Sequence, residues 1–199
     1  MFRYGHLILF VFLAAALILT CGCTQAVGSA PAQATPATPP ATTTAPSGWD
    51  RVLLQTTMGN ITIALDPDMP ITAGNFEKLV KSGFYNGVTF HRVIPGFMIQ
   101  AGDPTGTGTG GPGYTIPDEF SSHNHNLRGT VAMANTGQPN TGGSQFFINL
   151  VDNTYLDTGY PVFGTVMGGM DVADAIANVP TGDKNRPLTN VTILRAEML

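Results

Sequence analysis

Charge and cysteine are both scarce in this 199-residue chain: 11% of residues are charged, and Cys21 and Cys23 are its two thiols. Both lie near the N-terminus, and Trp49 to Leu199 contains none. That body has no disulfide framework, no thiol nucleophile and no Cys-type zinc site. Basic runs are missing too. Setting Arg3 aside, eight Lys and Arg face 13 Asp and Glu, a net charge near −5 that argues against nucleic acid as a partner. The longest apolar run, Leu7 to Leu19, has 13 residues, short of the ~20 that a spanning helix needs. No repeat of the solenoid type is visible.

What is there begins with a leader. Arg3, the run Leu7 to Leu19 and the sequence TCGC up to Cys23 form a signal-peptide pattern. Gly22-Cys23 resembles the lipobox of prokaryotic lipoproteins, in which the Cys is lipidated and becomes the new N-terminus. Cys23 is the better candidate, because Thr20 is a poorer residue before Cys21; an uncleaved anchor and plain secretion are the alternatives. Residues 24 to 48 then form a Pro/Ala/Thr-rich, uncharged tether, too poor in bulky apolar residues to fold and biased toward an extended polyproline-type chain. A leader over 1–23, a tether over 24–48 and one domain over 49–199 predict a protein held at the outer face of a cell membrane.

The domain has the usual size for a single core. RVLLQT (Arg51 to Thr56) and NITIAL (Asn60 to Leu65) alternate with period two around Met58-Gly59 and predict a hairpin. TAGNFEKLVKSGF predicts a helix over 73–82, with Thr72 as N-cap and Gly83 just past its end. DVADAIANV predicts a second over Asp171 to Val179. The remaining segments, VTFHRVI, FMIQAG, GTVAMAN, SQFFINLV, YPVFGTVM and NVTILRAEM, are short and β-like between turn residues. Many short strands and two helices favour an antiparallel barrel or sandwich.

Several motifs suggest chemistry without its context. GTGTGG, Gly106 to Gly111, fits a dinucleotide fingerprint, but no helix can follow it in PGYTIPDEF, and a flexible glycine loop is the better reading. Ser144 in GGSQF lacks the closing glycine of a nucleophile elbow and precedes a strand, which makes it structural. His123 and His125 have no clear third ligand, so a solvated loop is favoured over a metal site.

One arginine then stands out, in FHRVIPGFMIQAGD. Taken alone, Arg92 could lie on the outside of a strand with its head in water, and its apolar neighbours could be ordinary core. However, FHRVIPGFMIQAGDPTGTGTGG, MANTGQPNTGGSQFFI and YLDTGYPVFG, in this order, closely resemble the cyclophilin family of peptidyl-prolyl cis/trans isomerases. The resemblance covers essentially all of Trp49 to Leu199. It implies a mainly β fold: a closed eight-stranded antiparallel β-barrel capped by two helices, with a groove on its outer wall for an X-Pro segment. Carried over by position, Arg92 is the catalytic cation and Gln100 orients it. Phe97, Met98, Phe147 and Leu156 form the proline pocket; Ala134, Asn135 and Gln145 line the groove, Asn135 through its main chain. Tyr155 and Tyr160 stand at the rim, where well-known eukaryotic members have Trp and His, and Thr136 follows the Asn in place of Ala. These departures bear on cyclosporin binding more than on catalysis. No metal or cofactor motif survives in the sequence, and a groove on a closed barrel demands no partner subunit, so a monomer without cofactor is expected, with proline-containing segments of unfolded or exported proteins as its partners. A non-catalytic module that holds such segments is the alternative, and a passive envelope component a third reading.

Overall fold

A computed structural model describes residues 48–199; the leader, Cys23 and the tether up to residue 47 lie outside the described residues. Eight strands, β1 (Arg51–Thr56), β2 (Gly59–Leu65), β3 (Arg92–Ile94), β4 (Met98–Ala101), β5 (Thr130–Met133), β6 (Phe146–Asn149), β7 (Val162–Gly168) and β8 (Ile193–Met198), form one sheet. Its order is β3-β4-β6-β5-β7-β2-β1-β8 and every pairing is antiparallel. Two helices accompany it, α1 (Thr72–Lys81) and α2 (Met170–Ala177), with single 3-10 turns at Thr154–Leu156 and Asp183–Asn185.

The expected barrel is not closed. β3 and β8 are the two edges of the sheet. They approach only through the segment before β3: Gly87 and Phe90 donate to Ile193 and Val191 at 2.7 and 2.9 Å, and Ile193 donates back to Val88 at 2.8 Å. β3 itself has three residues and is followed by Pro95, which has no N–H to extend a ladder. The sheet is therefore an open half-barrel whose seam is bridged and not laddered.

Period-two alternation sorts the side chains of the site-bearing strands into two sets. Val93, Ile99, Ala101, Val131, Met133, Phe146 and Ile148 point inward to the main core, joined by Phe76 and Leu79 of α1 and Ile176 of α2. Met98, Ala132, Phe147 and Val162 point outward, where Ile94, Phe97, Ala134, Leu156 and Tyr160 pack with them as a second apolar cluster. At the centre of the core Phe76 packs on Tyr85, Phe146 and Phe163 with ring centroids 5.0 to 5.2 Å apart. Tyr85 is fully buried yet satisfied, donating to the Ser144 carbonyl at 3.0 Å.

α1 departs from expectation at its start. Thr72 is its first helical residue and its hydroxyl is buried without a partner. The carboxylate of Glu119, from a distant loop, accepts from the N–H groups of Ile71 and Thr72 at 3.0 and 2.9 Å, which satisfies two orphan donors and sets a negative charge at the positive end of the helix. At the other end Gly83, φ +74°, supplies the left-handed residue that stops the helix. α2 ends two residues before Val179, with Ala173, Ile176 and Ala177 as its buried stripe.

Candidate active site

The hairpin β3–β4 sets Arg92 directly opposite Gln100, and the β4–β6 register sets Gln100 opposite Phe147. Cross-strand partners share a face, so the three side chains form one row on the outside of the sheet. Arg92 Nη1 donates to Gln100 Oε1 at 3.4 Å, Gln100 Nε2 to Gln145 Oε1 at 2.9 Å, and Gln145 Nε2 to the carbonyls of Gly108 and Gly110 at 3.1 and 2.9 Å. The direction of this relay is fixed at both ends, because a guanidinium only donates and a backbone carbonyl only accepts. Each glutamine amide thus has one orientation consistent with the chain of bonds.

The relay ends on the glycine loop, which wraps around the carboxylate of Asp103. The carboxylate of Asp103, fully buried, accepts from Thr105 N and Oγ1 at 2.7 Å each and from Gly108 N and Gly110 N at 2.6 and 3.0 Å. Burial alone would raise its pKa; the bonds from Thr105, Gly110 and Gly108 outweigh that and hold it well below the usual carboxylate range. Gly102 before it, at φ +96°, lies so close to β6 that a Cβ there would sit 2.2 Å from the Ser144 carbonyl oxygen. Ser144 donates its hydroxyl to Gly102 O at 2.6 Å, in keeping with the structural role expected of it.

A cavity of about 350 Å3 opens over this row. Arg92, Gln100, Phe97, Met98, Ala134, Asn135, Phe147, Leu156 and Tyr160 line it. The guanidinium lies 5.9 Å from the Phe97 ring centroid, and no carboxylate pairs with it among the described residues. Phe147 meets Tyr160 edge-on at 5.7 Å. Asn135 donates its side-chain amide to Gly159 O at 2.7 Å and accepts from Gly137 N at 2.9 Å. Its side chain is thereby committed to the protein. Two expected residues stand apart from the cavity. Gln145 lies behind Gln100 and lines the adjoining cleft. Tyr155 is 70% exposed and stacks on Phe97 at 6.5 Å.

The family model described as cyclophilin type peptidyl-prolyl cis-trans isomerase/CLD matches residues 51–198. The chain belongs to the cyclophilin family. A peptidyl-prolyl cis-trans isomerase of Acinetobacter baylyi is 47% identical over 158 residues, covering 74% of this chain and 84% of that protein. A peptidyl-prolyl cis-trans isomerase-like 1 protein of Emericella nidulans is 45% identical over 153 residues, 74% of this chain and 94% of that one. Among solved structures, a cyclophilin type isomerase of Cryptosporidium parvum superposes with a TM-score of 0.72 at 34% identity, covering 76% of this chain and 98% of that one. A crystal structure of that protein in the presence of the dipeptide Ala-Pro gives 0.71. This cyclophilin is thus a peptidyl-prolyl isomerase by family, with the family's mainly β fold.

Four residues line the cavity of this cyclophilin that sequence reasoning passed over: His91, Thr107, Gly108 and Lys184. His91 is buried and neither ring nitrogen has a hydrogen-bond partner. Burial lowers its pKa; Asp103 pulls it up, while Arg186 and Arg92 push it further down. Its adjacency to Arg92 was a signal available in the sequence. Lys184 is brought in from a loop more than 80 residues along the chain, and nothing local marked it. His123 and His125, read as a solvated loop, are exposed but each meets an aspartate, Asp66 at 2.7 Å and Asp157 at 3.0 Å. Asp66, Asp68 and His123 offer ligand atoms within 4.8 Å of one another, but they line no part of the cavity.

Proposed function

We propose that Arg92 accelerates X-Pro rotation by donating to the proline nitrogen as the amide twists. Resonance gives the planar amide a barrier of ~18–20 kcal/mol. Twisting removes the resonance, and the nitrogen becomes pyramidal with a lone pair that can accept a hydrogen bond. A cation aimed at that lone pair stabilises the twisted state above either planar state, which is differential binding of the kind that lowers a barrier. Rotation breaks no covalent bond, so no nucleophile or proton shuttle is required. Arg92 spends one N–H on Gln100 and has no other protein acceptor among the described residues, which leaves four donors. Phe97, Met98 and Phe147 offer an apolar seat for the pyrrolidine ring and exclude water, which strengthens the charge. The relay from Arg92 to the glycine loop, free of any carboxylate partner, is the observation that carries this reading. Arg92→Ala should lower kcat/KM on an Ala-Pro peptide at least tenfold, the effect of ~1.4 kcal/mol in the barrier, with the fold unchanged by circular dichroism. Full turnover in that variant refutes the mechanism.

The clients in this reading are exported or envelope proteins, met at the outer face of the membrane through a lipid on Cys23. The leader, the lipobox-like Gly22-Cys23 and the Pro/Ala/Thr-rich tether support it. Isomerisation needs no ATP, which suits such a compartment. Cys23→Ala should move the protein from the membrane fraction to the soluble one; equal membrane association of variant and wild type counts against lipidation there.

A further inference from the structure

A second cavity, about 560 Å3, opens on the far side of His91. His91, Thr107 and Lys184 line both cavities, so the two share a wall. The outer side of the second is the loop after α2. It is pinched shut by Gly182 N donating to Arg186 O at 2.8 Å and Leu188 N to Pro180 O at 2.9 Å. Between these bonds Lys184 and Asn185 both take φ +58°, the left-handed region, at ~1–2 kcal/mol for each non-glycine residue. This doubly strained turn places Lys184 where it borders both cavities.

Arg186 follows on the same loop. Its Nη2 lies 3.4 Å from where a Cβ on Gly106 would be, against the glycine loop. Arg92, Lys184 and Arg186 therefore surround His91, and none of them pairs with a carboxylate among the described residues, whereas Arg128 and Arg195 each do. Asp183 is the acid in the second cavity's wall, set against Lys184 and Arg186. Asp103 nearby is spent on the N–H groups of its own loop. Burial, with Arg186 and Arg92 adding to it, lowers the His91 pKa against the pull of Asp103, so the imidazole stays neutral and adds no charge to this wall. On a body with net charge near −5, this end of the groove has the opposite sign.

We propose that the second cavity is a subsite for a carboxylate flanking the X-Pro unit, so that segments carrying Asp or Glu near the proline are preferred to those carrying Lys. Cavities separated by one side chain lie on the order of 7–10 Å apart, two to three residues of extended chain. The inference rests on the prolyl isomerase reading of the first cavity and adds to it a rule for choosing substrates.

The test uses the full-length protein and Ala-Pro peptides carrying Glu, Gln or Lys two or three residues to either side of the proline, with an all-Ala peptide beside them. In the wild type at low ionic strength, kcat/KM should favour Glu over Lys about fivefold or more at one of these positions. Two exposed charge pairs supply an effect of that order, and salt should shrink it. Lys184→Glu with Arg186→Glu should invert the ratio, and Lys184→Gln with Arg186→Gln should bring it near one. Because the ratio is taken within each variant, a change in overall turnover cancels. Equal rates for Glu and Lys at every position in the wild type, or a preference that survives the charge reversal, overturn the subsite alone. No acceleration of any peptide, the all-Ala one included, overturns the isomerase reading and the subsite with it.

Discussion

Replacing Asp103 with Asn changes one atom in a fully buried side chain and tests how the glycine loop serves the arginine. In the wild type Oδ2 accepts from Gly108 N and Gly110 N. Oδ1 serves Thr105 twice. An amide keeps one acceptor and puts an NH2 group where the other was. If the oxygen stays with Thr105, two backbone N–H groups meet a donor, each at a cost of ~1–3 kcal/mol. A loss of about 3 kcal/mol follows, which for a domain of this size lowers Tm by roughly 6–12 °C. The carbonyls of Gly108 and Gly110 then lose their fixed place, Gln145 loses its acceptors, and Arg92 is steered less well. One hydrogen bond of ~1 kcal/mol lost from that relay is worth about fivefold in kcat/KM. Thermal denaturation and the peptide isomerase assay measure the two effects. Acid titration gives a third: the wild-type carboxyl, with its folded pKa depressed, contributes stability that is complete above pH ~4 and drains as pH falls toward the folded value, a slope the variant should lack. A Tm within ~2 °C of wild type together with full turnover would show that the loop does not depend on this carboxylate.

His91 predicts a pH effect of the same sense at higher pH. Its folded pKa lies below the unfolded value of ~6.5, so the unfolded chain binds the extra proton and stability falls as pH drops through ~6.5 toward the folded value. The slope is at most about 1.4 kcal/mol per pH unit, and His91→Gln should flatten it; an identical slope in variant and wild type assigns the titration elsewhere. Cyclosporin should bind weakly, because Tyr155 stacks on Phe97 at the groove edge without an indole N–H to donate. Nanomolar inhibition of the protein would refute this.

The first hairpin was legible from its period-two alternation, and the later strands from short apolar runs between turn residues. β4, β5 and β6 fall inside FMIQAG, GTVAMAN and SQFFINLV, each shorter than its apolar run because pairing stops where the partner strand turns away. The row Arg92, Gln100, Phe147 could be placed by family resemblance, and the register now supplies the reason those three meet. The open seam was not legible, since whether β3 finds β8 depends on sheet curvature and on Pro95, not on any local pattern. The wrapping of the glycine loop around Asp103 had a readable cue, an aspartate followed by alternating Thr and Gly, whose short side chains and free N–H groups suit a turn around a carboxylate. Lys184 and Arg186 had none, because a tertiary approach alone carries them to His91.

Strands β3 to β6 are apolar on both faces, and that makes them hard to align. A slip of one residue would exchange the two sets of side chains and still bury aliphatic surface. It would also drive Arg92 and Gln100 inward toward Phe76 and the main core, where an unpaired guanidinium is strongly destabilising. The polar residues therefore act as a parity check while the chain folds: odd and even positions look alike to the hydrophobic effect, and in β3 and β4 Arg92 and Gln100 tell them apart.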